Sequence, residues 1–141
     1  GSFPKLKVTL FGSAPEPSNL PSWYTYHKMP DKELHNRIYN EAAIFLAPSI
    51  QEGWGLPVGE AMICGQAVVC TNNKGYQEMA VHGRNSLICD IKDSQSLAQN
   101  IMRLILDDEL RHRIAETGNK DIQKFNIQAS YLMLKEVLGI S

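Results

Sequence analysis

Residues 44 to 70 read IFLAPSIQEGWGLPVGEAMICGQAVVC, and this stretch decides the fold. Ile44 to Ala47 is a continuous apolar run ending at Pro48-Ser49, the pattern of a strand buried on both faces. Pro57 suits the first turn of a helix, where its missing N–H costs nothing, and Gly65 suits the end, where a left-handed residue is wanted. Ala67 to Cys70 is the next buried strand. Strand, helix and strand in this order make a βαβ unit, whose strands pair in parallel.

The alternation continues outward in both directions. Upstream, Lys5 to Phe11 places Leu6, Val8 and Leu10 on one face before Gly12-Ser13-Ala14-Pro15 breaks the strand, and Trp23 to His27 is a second short strand. Asp31 then caps a helix with an apolar stripe of Leu34, Ile38 and Tyr39. Downstream, the polar loop Thr71 to Gly75 leads into a helical turn over Tyr76 to Val81, and Ser86 to Cys89 is the last strand. The rest is helical, with stripes of Leu97, Ile101, Leu104 and Ile105, continued by Leu110 and Ile114, and of Ile127, Tyr131, Leu134 and Leu138. The expected architecture is α/β, a Rossmann-like doubly wound parallel sheet with helices on both faces. Ligands of such sheets lie at the carboxyl ends of the strands, so Gly12-Ser13, Ser49 to Leu56 and Thr71 to Gly75 are expected to converge on one edge.

A length of 141 residues suits one domain, and a 43% hydrophobic fraction supplies its core and excludes intrinsic disorder. Fourteen Lys plus Arg against fifteen Asp plus Glu give a net charge of −1, so nothing draws the whole chain to nucleic acid or to an anionic membrane. Cys64, Cys70 and Cys89 lack CxxC spacing and sit among apolar residues, as free thiols in a reducing compartment do. No signal peptide is legible, Gly1-Ser2 reads as a vector scar, and residues 3–141 read as the domain. Apolar runs fall far short of the ~20 residues that span a bilayer. His27, His35, His82 and His112 have no metal-ligand spacing, so no metal is expected. Arg84 reads as a loop charge, with phosphate contact as the minority reading.

Ser49 to Met62 carries the chemistry. The chain leaves a buried strand, passes Gly53 and Gly55, and enters a helix whose first N–H groups lack intrahelical partners. Together with the positive end of the helix dipole, the amides of Gly55, Leu56 and Val58 make a site for a diphosphate; Pro57 has no N–H to give. Glu52 and Glu60 flank it. A carboxylate beside a bound anion repels it and serves better as an acceptor for hydroxyl groups, so a diol next to a diphosphate points to a nucleotide. The plainer alternative makes Glu60 a helix-dipole residue and Glu52 a solvated loop charge.

Glu52 and Glu60 form a Glu-x7-Glu pair within P-S-x-x-E-G-W-G-L-P-x-x-E-A-M-x-x-G-x-x-V-V. This setting resembles the donor-site signature of retaining glycosyltransferases of the GT-B fold, the family 4 group. The likeness continues through Asn73 to Glu78, similar to a glycine loop followed by Glu, through His82 to Ile88, similar to a "dG-x-N-G-ll" turn, and through the helices from Asp93 to Leu110. It implies a C-terminal domain binding a nucleotide-diphosphate sugar, without metal or other cofactor. By the resemblance Glu52, with Gly53 and Trp54, meets the transferred sugar, Glu60 takes the ribose hydroxyls, and the backbone at Gly55, Leu56 and Val58 holds the diphosphate. Gly12, Ser13 and His27 are further nucleotide contacts; no catalytic residue is named.

Three departures from the family pattern stand out. The first strand, with an Arg and a Lys that neutralise the diphosphate, precedes what is present here; Ser86 stands where Gly is usual; and Gly59 replaces a bulky aliphatic residue, at a helix-propensity cost of ~1 kcal/mol. The resemblance therefore implies a domain truncated at its first βα unit, inactive by itself and open to self-association across the missing central strand. Its parent transfers a sugar to a glycan or lipid-linked acceptor held by an N-terminal domain, in the cytoplasm or peripherally at the inner membrane face. A non-catalytic nucleotide-binding or interaction module of the same fold is the alternative.

Overall fold

The computed structural model describes residues 6 to 139, so the expected vector scar at Gly1-Ser2 lies outside the described residues. The chain divides after Glu41 into two compact units. The first holds β1 (Val8–Gly12), β2 (Tyr24–Lys28) and α1 (Lys32–Glu41). The second holds β3 (Ile44–Ala47), α2 (Leu56–Ile63), β4 (Ala67–Thr71), β5 (Ser86–Cys89), α3 (Ser94–Leu106), α4 (Asp108–Ile122) and α5 (Ile127–Leu138). Every ladder is parallel, as the alternation predicts. The strands form two sheets, β1-β2 and β3-β4-β5, where the pattern of apolar runs points to a single one. A parallel sheet is continuous only while each interior strand has ladder partners on both sides, and β1 and β3 each have one.

In the first unit Asp31 caps α1 as expected, its carboxylate accepting from the Leu34 N–H at 2.8 Å. The ring of Phe11 on β1 meets His35 and Tyr39 on α1 edge to face, with centroids 5.2 and 5.7 Å away.

In the second unit β4 is buried along its whole length. The sequence pattern assigns the same burial to β3, yet β3 is an edge strand of its sheet and its Leu46 is 40% exposed. Ala67 and Val69 of β4 and Leu87 of β5 face Leu104 of α3 and Leu110 and Ile114 of α4. The apolar stripe running from Leu97 to Ile114 is broken at Asp107, whose carboxylate accepts from the Leu110 N–H at 2.8 Å and starts α4. α2 closes in a Schellman motif: Gln66 N–H donates to Ala61 O at 3.0 Å and Gly65 N–H to Met62 O at 3.1 Å, with Gly65 at φ 76°. A Cβ on Gly59 would stand 3.4 Å from Ile122 Cδ1, so α2 and α4 approach closely here. α5 is helical as its stripe predicts, but Tyr131, Leu134 and Leu138 are each more than half exposed. No helix among the described residues is long and apolar enough to cross a membrane.

The turn before β5 is held by polar contacts. Buried Asn85 accepts from the Val81 N–H at 2.7 Å and donates to Met79 O at 2.9 Å and Asp121 Oδ2 at 3.0 Å. Arg84 donates to Asp121 through Nε and Nη2, both at 2.9 Å, so this loop charge is paired with α4. The three buried or part-buried thiols are free, and burial, reinforced by Cys89, pushes Cys70 up to about 12.

Two predictions follow from this packing. The Arg84 hydrogen bonds, joined by Asn85 and opposed by partial burial, lower the Asp121 carboxyl from 3.8 to about 2. A carboxylate with a depressed folded pKa stabilises the fold above its unfolded pKa and loses that contribution as pH falls through the folded value. Asp121→Asn is therefore less stable than wild type at neutral pH, and the gap closes between about pH 4 and pH 2 in urea melts; a gap that stays constant refutes the assignment. Ser86 is fully buried, and its Oγ has no hydrogen-bond partner among the described residues. Since a desolvated unpaired hydroxyl costs on the order of 1–3 kcal/mol, Ser86→Ala should raise stability by about 1 kcal/mol, read as a higher urea midpoint at unchanged m.

Candidate functional site

The chain leaves β3 at Ala47, and the carbonyl of Ser49 is taken up by the end of β4 and the loop that follows it. The Thr71 hydroxyl donates to it, and so does Asn73 Nδ2 at 3.2 Å. Asn73 Nδ2 also reaches Thr71 Oγ1 at 3.2 Å, while its Oδ1 accepts from the Gly75 N–H at 2.9 Å. The loops after β3 and β4 are thereby joined at the carboxyl ends of adjacent parallel strands, where the architecture places a ligand. Gly12, Ser13 and His27 belong to the other unit, with Gly12 ending β1 and His27 paired to Phe11 from β2.

Two glycines let the loops meet. A Cβ on Gly75 would fall 2.7 Å from both Cβ and the carbonyl oxygen of Glu52, so the two backbones touch. Gly55 has φ 64°, and a Cβ there would lie 2.4 Å from the Tyr76 ring. Buried Tyr76 thus forms the floor beneath Gly55. Burial pushes its phenol up, the Ser49 hydroxyl as hydrogen-bonding neighbour opposes this, and the Glu52 carboxylate adds to the rise.

Glu52 is half-buried, and Oε1 accepts from the Ser49 hydroxyl at 2.7 Å. Gly53 beside it is exposed and open on its Cβ side. Trp54, which the resemblance sets against the transferred sugar, has its ring edge-on to Phe125, 5.5 Å between centroids, and its indole N–H points to Glu78 Oε2 at 3.4 Å. It braces the loop against the end of α4.

α2 begins after Gly55 with Pro57 in its first turn and no side-chain cap. The Val58 amide, counted from sequence among the diphosphate donors, is already given to Gly55 O at 2.9 Å, and its side chain is fully buried. A left-handed Gly55 turns its carbonyl into the first helical turn, which closes on Val58. The amides left for an anion are those of Gly55 and Leu56. Glu60 stands exposed on α2 and makes no ion pair with any described residue. Cavities of about 320 Å³ between α3 and α4 and 410 Å³ around Asn72, His82 and Asp90 include neither Glu52 nor Glu60. Among the described residues no group of three His, Cys, Asp or Glu side chains is arranged to hold a metal ion.

Sequence reading missed the parts played by Thr71, Asn73 and Tyr76. Their signal was present only as a polar, glycine-containing loop at a strand end. Which of its groups would reach back to Ser49 depends on the spacing of β3 and β4.

The family model for glycosyl transferases group 1 matches residues 4–121. The chain is 34% identical over 98 residues to O-antigen chain mannosyltransferase B of Escherichia coli, an alignment covering 70% of this chain and 25% of that protein. It is 36% identical over 101 residues to D-inositol 3-phosphate glycosyltransferase of Corynebacterium jeikeium, covering 72% and 24%. Among solved structures, the C-terminal domain of the group 1 glycosyl transferase LpcC from Francisella tularensis superposes with a TM-score of 0.69 at 30% identity, covering 75% of this chain and 55% of that one. The chain thus spans about a quarter of the length of these curated relatives. With the match running from the first strand to the end of α4, the chain belongs to the glycosyl transferases group 1 family.

Proposed function

We propose that this chain is the donor-binding part of a retaining, family 4 type glycosyltransferase that moves a hexose from a nucleotide-diphosphate sugar to a glycan or glycolipid. The observation that carries the reading is the Glu52 loop: a carboxylate fixed by Ser49 beside the uncapped start of α2, with exposed Glu60 following eight positions on. The family membership and the two glycosyltransferase relatives support it.

In this reading Glu52 and Gly53 meet the transferred sugar and Glu60 accepts the ribose hydroxyls. The Gly55 and Leu56 amides, at the positive end of α2, face the diphosphate. As the bond between the anomeric carbon and the diphosphate breaks and the acceptor oxygen bonds to that carbon, negative charge grows on the leaving group. Amides already pointing there stabilise it without reorganising. The reading takes no resident metal or cofactor. An acceptor-binding domain is required besides these 141 residues, so the chain by itself binds donor without turnover. The whole protein works in the cytoplasm or at the inner membrane face, and the chain self-associates across the place of the missing central strand.

Calorimetric titration with UDP, GDP and ADP and with UDP-glucose, GDP-mannose and ADP-glucose tests this. Glu60→Ala should weaken nucleoside diphosphate and nucleotide sugar alike, by about tenfold for one lost charged hydrogen-bond acceptor. Glu52→Ala should erase only the extra affinity that the sugar confers. Binding of none of the six ligands to wild type would favour a non-catalytic interaction module.

A further inference from the structure

Glu52 has a carboxylate with two oxygens, and among the described residues its hydrogen-bond donor is the Ser49 hydroxyl, on Oε1 at 2.7 Å. A serine hydroxyl carries one proton, which the acceptor-only carboxylate takes. Buried Tyr76 lies close by, its ring under Gly55. The proton order runs from Ser49 to Glu52. Ser49 itself cannot shift, because its carbonyl accepts from both Thr71 and Asn73. Glu52 cannot swing as a unit either, since its backbone rests on Gly75 with no room for a Cβ between them.

We propose that Ser49 is a positioning residue: anchored through its carbonyl by Thr71 and Asn73, it holds one oxygen of Glu52 so that the other is presented to a hydroxyl of the bound sugar. The proposal rests on the donor-site reading above and deepens it. Ser49 touches neither nucleotide nor diphosphate in this arrangement. Its hydroxyl therefore bears on the sugar's share of the binding and on nothing else.

The test compares the ratio of affinities for nucleotide sugar and matching nucleoside diphosphate in wild type, Ser49→Ala, Ser49→Thr and Glu52→Ala, with thermal melts of each. Ser49→Ala should cut that ratio about fivefold or more while leaving diphosphate affinity unchanged, in line with losing a hydrogen bond to a charged group. Ser49→Thr, which keeps the hydroxyl, should restore it. If Glu52→Ala lowers the ratio and Ser49→Ala does not, the positioning role is overturned while the donor site stands. If Ser49→Ala weakens both ligands equally with a lowered melting temperature, Ser49 is scaffold and the proposal is likewise overturned. A Glu52→Ala ratio equal to wild type, or a wild type that binds no ligand, overturns the donor-site reading and this inference with it.

Discussion

The carbonyl of Ser49 receives Thr71 and Asn73 together, and the arrangement of the site depends on this junction. It ties the end of an edge strand to the end of the buried strand beside it. Each bond is worth only about 1 kcal/mol net, but leaving a buried partner unpaired costs more, so the network holds as a whole or opens as a whole. Because Glu52 follows three residues later and its backbone lies on Gly75, the carboxylate inherits its position from the sheet and not from a flexible loop.

The opposite side of the loop is set by α2, and α2 is set by α4. Gly59 and Gly118 are the contact points: one faces Ile122, and a Cβ on the other would stand 3.3 Å from both Met62 Cγ and Asn85 O. The end of α4 is in turn gripped by Arg84 and Asn85 through Asp121. Trp54 closes the circuit by resting on Phe125 just after α4. The head of α2 is thus positioned by contacts far from it. The absence of a bulky side chain before Glu60 is matched by a close helix approach.

Much of the fold was legible because apolar runs and caps are local. β3 and β5 begin and end where their apolar runs do, Asp31 caps α1, and Pro57 and Gly65 bracket α2. Burial was less legible, since it depends on neighbours. The run Ile44 to Ala47 has the composition of an interior strand and lies at an edge, and the α5 stripe is amphipathic yet exposed in the described chain. Arg84 had no readable partner because Asp121 lies 37 positions away. The Val58 amide looked open because helix rules leave it unpaired; the left-handed turn at Gly55 closes it.

By itself the sequence determined the parallel α/β class, the order of elements and the segment that carries Glu52 and Glu60, because these follow from periodicity, turn chemistry and a motif contiguous in the chain. Only the tertiary structure decided how Glu52 is held, which amides remain open, where Trp54 and Arg84 are committed, and that the strands form two sheets. Those outcomes rest on distances between groups remote in sequence. Such distances are set by how strands and helices pack, and no local pattern encodes them.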